Sequence, residues 1–336
     1  MISSHQKHIC RCYTMILQAV KPYRHNIVSE PNDIKSMTQQ KKEKIFLIIN
    51  QYAGHKEGAK AIEIVIPYLI KNGHLVEYSF TNHPGHATEL ALKASADEFD
   101  LVVAVGGDGT VNEVAQGLIG TNTPMGIIPM GSGNGLAREL GISMNMHKSA
   151  ETLVYGKNLE LDVCKLNEQR FLCTSGIGFD AMIAFKMSKA ASRGFLKYVQ
   201  LVVEESIFYK PLNVRMKIDG VVIEESVFLI TFANASQFGN NAFIAPGASM
   251  TDGLIDVVVV RKFAKIWMPI FAIALFSKLI PKLPFVDCYK AQQIELQLAD
   301  TPFFHFDGEP GKLSVPAMIS MDDKKIWVRC KGNGDL

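Results

Sequence analysis

An apolar run, Leu101, Val102, Val103, Ala104 and Val105, ends in Gly106-Gly107-Asp108-Gly109-Thr110, and this junction carries the chemistry that the rest of the chain has to serve. Apolar residues rich in valine suit a parallel strand covered on both faces, and the glycines give the following turn access to positive φ. A helix is expected next. Thr110 is a natural N-cap, with Asn112 in the first turn and Glu113 at capping-box spacing. Amides and the positive end of a helix dipole at such a turn attract phosphate. Asp108 would repel it unless a metal ion or its own hydrogen bonds offset the charge, so Mg²⁺ is expected with a nucleotide. A strand-to-helix turn that binds nothing is the alternative.

Two more acidic groups stand in the second half. Asp252-Gly253-Leu254-Ile255-Asp256 sets two carboxylates four residues apart around a glycine turn, and oxygen ligands of this kind suit Mg²⁺, with main-chain carbonyls near Ser249 and Leu254 to complete a site. The alternative is a hairpin turn with solvated carboxylates. His305-Phe306-Asp307-Gly308-Glu309 follows Phe303 and Phe304, so Asp307 and Glu309 emerge from an apolar strand into a turn. A carboxylate at an apolar edge has a raised pKa tendency and suits a general base; a plain turn is the alternative. His305 has no second histidine at metal spacing and reads as a packing or hydrogen-bonding residue rather than a ligand.

The elements that must position these groups alternate. Ile45 to Ile49 reads as a strand ending at Asn50, Gly58 to Asn72 as a helix, His74 to Phe80 as a strand ending at Thr81, and His86 to Ala96 as a helix. The Asp108 strand is third. Met125 to Pro129 is a fourth, followed by Met130-Gly131-Ser132-Gly133-Asn134-Gly135 and Leu136-Ala137-Arg138. Such alternation builds a parallel sheet whose strand carboxyl ends form a ligand crevice, and Asn50, Thr81, Asp108 and Ser132 each lie at such an end. Lys148 to Tyr155 is helical in spacing. Beyond Asn158 short strands follow one another: Leu159 to Leu166, Arg170 to Ser175, Leu212 to Ile218, Val227 to Asn234, Leu254 to Val260, Ala291 to Leu298, Leu313 to Met321 and Lys324 to Arg329. An antiparallel sandwich is expected there. Two helical inserts interrupt it, Phe179 to Phe208 and the apolar Phe263 to Leu279, the latter flanked by Arg261, Lys262, Lys265, Lys278 and Lys282. That second insert suits a lipid tail or a membrane interface, or else a core helix with solvated basic ends.

The 336 residues suggest two domains, and 48% apolar with 20% charged residues is an ordinary globular mixture. A formal charge of +2 is too small to imply nucleic acid as a bulk partner, and there is no zinc-finger spacing or basic-aromatic repeat. Cysteines at 10, 12, 164, 173, 288 and 330 form no C-x-x-C pair, which speaks against a zinc site or a disulfide scaffold and for a reducing cytoplasm. No apolar run is long enough to span a bilayer, and no signal-peptide pattern is present, so a soluble protein is expected. Residues 1–43 read as a poorly ordered extension, of which 1–36 lie outside the native fold or reflect an upstream start relative to Met37.

Five motifs in order resemble the diacylglycerol kinase catalytic-domain family, in its soluble bacterial lipid kinase branch related to diacylglycerol and sphingosine kinases. They are Gly106-Gly107-Asp108-Gly109-Thr110 with Asn112-Glu113, Gly131-Ser132-Gly133-Asn134 with Ala137-Arg138, Gly176-Ile177-Gly178-Phe179-Asp180, Ala245-Pro246-Gly247-Ala248 before Asp252-Gly253, and Asp307-Gly308-Glu309. The resemblance covers about residues 44–330. It implies a Rossmann-like parallel α/β domain binding ATP over 44–157, a β-sandwich domain binding lipid over 158–330 whose terminal segment returns toward the first domain, and an active cleft between them. It further implies nucleotide contacts at Asn50, Thr81, Gly106, Gly107, Asp108, Gly109, Thr110, Asn112, Glu113, Gly131, Ser132 and Asn134. A structural Mg²⁺ is implied at Asp252 with the Ser249 and Leu254 carbonyls, and a base at Asp307 or Glu309, with Asp108 also catalytic. One departure is Asn50-Gln51-Tyr52-Ala53-Gly54, which lacks the proline that usually follows the asparagine and so relaxes the turn.

The reaction implied is transfer of the ATP γ-phosphoryl group to a lipid hydroxyl by a cytoplasmic enzyme that touches the membrane surface transiently during turnover; a homodimer is compatible with the sequence. No Walker A lysine is present. An NAD kinase, which shares Gly-Gly-Asp-Gly, and a non-catalytic lipid carrier are the rival readings. Diacylglycerol, sphingoid bases, ceramide-like lipids and polyprenols all present a hydroxyl on an apolar tail, and the residues do not choose among them.

Overall fold

A computed structural model describes residues 41–56, 58–190, 195–298, 303–312 and 315–331. Apart from 41–43, the extension expected over residues 1–43 lies outside the described residues, as does the question of a start at Met37.

The first half runs β1 (Lys44–Ile49), α1 (Gly58–Lys71), β2 (Leu75–Phe80), α2 (His86–Ala96), β3 (Leu101–Gly106), α3 (Asp108–Leu118), β4 (Met125–Pro129), α4 (Gly135–Glu139) and α5 (Met146–Tyr155). The second half runs β5 (Lys157–Leu161), β6 (Cys164–Leu166), β7 (Gln169–Phe171), β8 (Thr174–Gly178), α6 (Phe179–Ser188), α7 (Phe195–Phe208), β9 (Leu212–Ile218), β10 (Val221–Ala233) and β11 (Ile255–Arg261). It continues through α8 (Met268–Phe276), β12 (Val286–Ala291), β13 (Gln293–Leu298), β14 (Phe303–Phe306), β15 (Glu309–Lys312), β16 (Ala317–Met321) and β17 (Ile326–Cys330).

The first sheet has the order β2-β1-β3-β4-β17-β5, parallel from β2 through β17 and antiparallel only between β17 and β5. Alternation along β3 divides its side chains between two cores. Val102 and Ala104 pack with Val114 and Leu118 of α3 and Ala91 of α2, whereas Leu101, Val103 and Val105 pack with Val65 and Leu69 of α1 and Leu153 of α5. A central strand covered on both faces has no polar positions to spare, and β3 is buried throughout.

The second sheet turns on β10, whose 13 residues serve two sets of partners. Its first half pairs with β9 and its second with β8, while β11 runs along the opposite edge; the register shifts between Val227 and Leu229. A strand that bends at such an irregularity folds one sheet into two layers. Ile230 and Phe232 face inward onto Val257, Leu296, Phe304 and Ile319, and Leu229 and Ala233 face outward onto α6 and α8.

Several readings change. Residues 159–166, expected as one strand of the second domain, are two, and β5 belongs to the first sheet. The final strand, which the strand pattern put in the antiparallel run and whose return toward the first domain only the resemblance implied, lies between β4 and β5. The Phe179 to Phe208 insert is two helices, and β12 precedes the strand expected from Ala291.

Candidate active site

The helix after β3 starts three residues earlier than its capping signals suggest. Gly107 is the N-cap and Asp108 the first helical residue, while Thr110 is buried inside the first turn. Its hydroxyl accepts from Asn50 Nδ2 at 3.1 Å, so Asn50 at the end of β1 is tied to the Asp108 loop. A Cβ on Gly106 would stand 2.5 Å from Thr110 Oγ1, so this position has room only for glycine. Glu113 serves a different helix from the one it was expected to cap. Its Oε2 accepts from Ala87 N at 3.2 Å, in the first turn of α2, and its carbonyl accepts from Thr88 Oγ1 at 2.8 Å. A carboxylate there complements the α2 N-terminus, whose N-cap Gly85 offers no side chain.

Asp108 solves its charge with the second loop. Oδ2 accepts from Asn134 N at 2.8 Å and Oδ1 from Gly135 N at 2.7 Å, so the carboxylate sits on the first amides of α4. Asn134, in the left-handed region at φ 51°, also closes its own loop: Oδ1 accepts from Gly131 N at 2.9 Å and Nδ2 donates to Gly131 O at 2.7 Å. The two loops touch backbone to backbone. A Cβ on Gly131 would lie 2.8 Å from Gly107 Cα, and one on Gly133 would lie 2.8 Å from Asp108 Oδ2. Ser132 is exposed on this loop, and Thr81 continues the β2 ladder through its amide to Ile49 O at 2.9 Å, placing it on the same sheet edge.

The second domain meets this edge through the β14–β15 hairpin. Asp307 at φ 50° and Gly308 at φ 85° form its two-residue turn, the backbone signs of a type I′ turn. Asp307 points into the domain junction, where Oδ1 accepts from Cys173 N at 2.7 Å and Thr174 N at 3.0 Å. Oδ2 accepts from Leu172 N at 2.9 Å and from Asn112 Nδ2 at 3.3 Å. Burial raises the Asp307 carboxyl above the ordinary carboxylate range, and the three amides oppose that rise. Glu309 takes the other direction: it is exposed, and its Oε1 would stand 3.6 Å from a Cβ on Gly109. A carboxylate from the β domain thus faces the glycine loop of the α/β domain.

Residues that the sequence patterns did not single out hold the two halves together. Glu139 at the end of α4 accepts from Ser236 N and Oγ at 3.1 and 2.7 Å and from Gln237 Nε2 at 3.2 Å. Gln116 on α3 donates to Arg170 O at 3.3 Å and to Asn112 Oδ1 at 3.0 Å. Within the second half, fully buried Asn234 ties the segments beside the junction, donating to Leu172 O at 2.7 Å and Asp162 O at 2.9 Å, and Asp162 Oδ2 accepts from Gly253 N at 2.8 Å. Polar residues in Ser236-Gln237 and Asn234 were the only signal, and a polar residue ending a buried strand is too common to be diagnostic.

The implied structural Mg²⁺ at Asp252 does not fit the residues around it. Asp252 Oδ2 is paired with the Lys290 ammonium at 2.8 Å, and Lys290 also reaches Asp256 at 3.2 Å. The Asp252 hydrogen bond, with Asp256 beside it and burial opposing, raises the Lys290 pKa and keeps it charged. Asp252 Oδ1 accepts from Leu254 N at 3.1 Å, and Ser249 turns its hydroxyl to Thr251 at 3.3 Å. A monovalent side-chain cation therefore holds this loop. Among the described residues, His83, His86 and Glu89 bring three ligand atoms within 4.8 Å on the surface after β2, but His86 Nδ1 already accepts from Asn82 N at 3.1 Å.

Comparison with known proteins bears on the two domains that carry these residues. Residues 44–166 match the family profile of the diacylglycerol kinase catalytic domain, and residues 174–328 match the YegS C-terminal NAD kinase beta sandwich-like domain. A protein named diacylglycerol kinase from Bacillus subtilis is 28% identical over 282 residues, 82% of this chain and 92% of that protein. A probable lipid kinase YegS-like from Chromohalobacter salexigens is 28% identical over 244 residues, 71% of this chain and 78% of its own. A crystal structure described as a putative diacylglycerol kinase from Bacillus anthracis superposes with a TM-score of 0.72 at 23% identity, covering 86% of this chain and 98% of that one, and shows the same fold.

Proposed function

The chain belongs to the lipid kinases that join a diacylglycerol kinase catalytic domain to a YegS-type C-terminal domain, and from that premise we propose that it transfers the γ-phosphoryl group of ATP to the hydroxyl of a lipid such as diacylglycerol or a sphingoid base, in the cytoplasm at the membrane surface. The observation that carries the reading is the exposed Glu309 carboxylate opposite Gly109, a proton acceptor from one domain set against the phosphate loop of the other.

Backbone amides at the start of α3 and the glycines of both loops hold the nucleotide phosphates, with Asn50, Thr81 and Ser132 along the same edge. Each Asp108 oxygen accepts one amide hydrogen and retains acceptor capacity toward Mg²⁺. The ion supplies neutralisation of charge on the phosphate oxygens when bound. Asp307 is the positioning residue: its two oxygens take four donors, which fills the lone-pair sites of a carboxylate. Glu309 has no such load and takes the acceptor hydroxyl proton as the hydroxyl attacks phosphorus. Positioning and charge stabilisation then carry most of the rate.

The test is incubation of the purified chain with γ-labelled ATP, Mg²⁺ and a total lipid extract, with NAD present as a water-soluble acceptor. Label in an organic-soluble product is expected, and its mass identifies the acceptor. Label confined to NADP overturns the lipid reading.

A further inference from the structure

A lipid kinase has to reach an acceptor whose tails lie in a bilayer, and on that reading we infer that the outer faces of α7 and α8 dock on a membrane carrying anionic headgroups. Both helices bury one side in a single apolar cluster on the sheet, through Leu201 of α7 and Phe271 and Ala274 of α8. Their other sides are apolar as well. On α7, Val199, Val203 and Ile207 recur at i, i+4 and i+8 and are 40%, 60% and 55% exposed; at α8, Ile266, Ile270 and Ile273 recur at i, i+4 and i+7 and are 82%, 45% and 64% exposed. The two ridges meet where Lys265 Nζ donates to the Ile207 carbonyl. A surface helix of a water-bound domain would carry charge at these positions.

The charge around the ridges selects the occupant. Residues 262–284 contain Lys262, Lys265, Lys278 and Lys282 and no aspartate or glutamate, and all four lysines are exposed. On α7, Glu205 is neutralised by Lys186 and Glu204 accepts from Gln200. Apolar side chains inside a lysine collar match an anionic bilayer, in which the apolar groups enter the acyl boundary and the ammonium groups meet headgroup phosphates. A second copy of the chain docking by the same face would set collar against collar. The neighbouring helix leads to the chemistry: Phe185 of α6 stacks at 4.1 Å on Phe303, the first residue of the strand that runs into the Asp307 turn.

The experiment is co-sedimentation of the purified chain with vesicles of equal parts phosphatidylglycerol and phosphatidylcholine, and with vesicles of phosphatidylcholine alone. Emission of Trp267, 38% exposed on this face, is read in a Trp327→Phe background. Binding to the anionic vesicles with a blue shift of Trp267 is expected. Ile270→Glu with Ile273→Glu should lower the partition coefficient by about tenfold or more. Lys262→Gln with Lys282→Gln should lower it by about twenty-five-fold at low salt, since each lysine near an anionic surface is worth about fivefold. Equal binding to both vesicle types, binding indifferent to the isoleucine changes, or a wild-type dimer that those changes dissociate would each overturn the inference. No readout here uses ATP or an acceptor, so failure to dock leaves the kinase reading standing, and an inactive but vesicle-binding chain does the reverse.

Discussion

Two carboxylates separated by one glycine have opposite surroundings, and this divides their work. Asp307 is saturated by Leu172 N, Cys173 N, Thr174 N and Asn112 Nδ2, whereas Glu309 is exposed beside Gly109. Replacing Asp307 with Asn presents an amide NH₂ to donors that need an acceptor. Leaving those buried N–H groups unpaired should cost about 2–3 kcal/mol of stability along with activity. Glu309→Gln removes only the proton acceptor. It should leave the urea midpoint unchanged while turnover falls by about a hundredfold or more. Measuring both quantities for both variants separates the roles, and a Glu309→Gln protein with normal turnover would remove Glu309 as the base. At Asp252 the same logic runs through a lysine: chelation with EDTA should leave the unfolding midpoint of the nucleotide-free protein unchanged, because Lys290 occupies that carboxylate. A midpoint that drops on chelation would restore a divalent ion to the loop.

At the scale of elements, the site is two glycine loops pressed together and locked by Asp108. Gly131→Ala places a methyl group 2.8 Å from Gly107 Cα and from Asn134 Oδ1, so the loops must part. Overpacking of this kind should cost about 1–3 kcal/mol, and because it misplaces the amides of α3 and α4 the larger loss should appear in ATP affinity and turnover. Calorimetric titration with ATP checks it; wild-type affinity in a folded variant would show that the contact does not shape the phosphate site. Much of this was legible in the sequence, because a valine-rich run ending in glycines can be little else than a buried strand feeding a turn. The exact start of α3 was not. Thr110 and Glu113 have the right spacing for a capping box, but Asn50 and the α2 amides compete for them, and those partners lie 60 and 26 residues away. The placement of β5 and β17 was illegible in the strand pattern, and only the family resemblance implied a return of the terminal segment, because periodicity reports which face of a strand is buried and nothing about which sheet receives it.

The whole molecule is held by the strands that change sheets. The chain leaves the first sheet after β5, and after β16 it crosses back so that β17 can fill the gap between β4 and β5. The first sheet is completed only by β5 and β17, which flank the whole of the second sheet in the chain, so heat should unfold the two sheets in one calorimetric transition, and two resolved transitions would refute this coupling. Arg329 fastens the return. Its guanidinium takes both Glu43 oxygens at 2.7 and 2.8 Å, the Leu153 carbonyl at 2.9 Å and Asn158 Oδ1 at 2.9 Å, a fork that lysine cannot reproduce. Beside it, His74 Nδ1 accepts from Glu43 N at 3.3 Å, and burial holds the imidazole below its ordinary pKa of 6.5, with Glu43 partly opposing and Arg329 adding to the depression. Between that lowered value and 6.5 the unfolded chain binds a proton that the folded chain refuses, so stability is full above pH 6.5 and falls as the pH drops through the window. Urea midpoints measured from pH 7.5 down to 5.5, in steps of about half a unit, should therefore decline in the wild type and stay flatter in His74→Gln, where nothing at this position titrates. Parallel declines in the two proteins would locate the acid sensitivity away from the Glu43–His74–Arg329 junction. A flatter variant would show that the junction closing the first sheet also sets the acid limit of the fold.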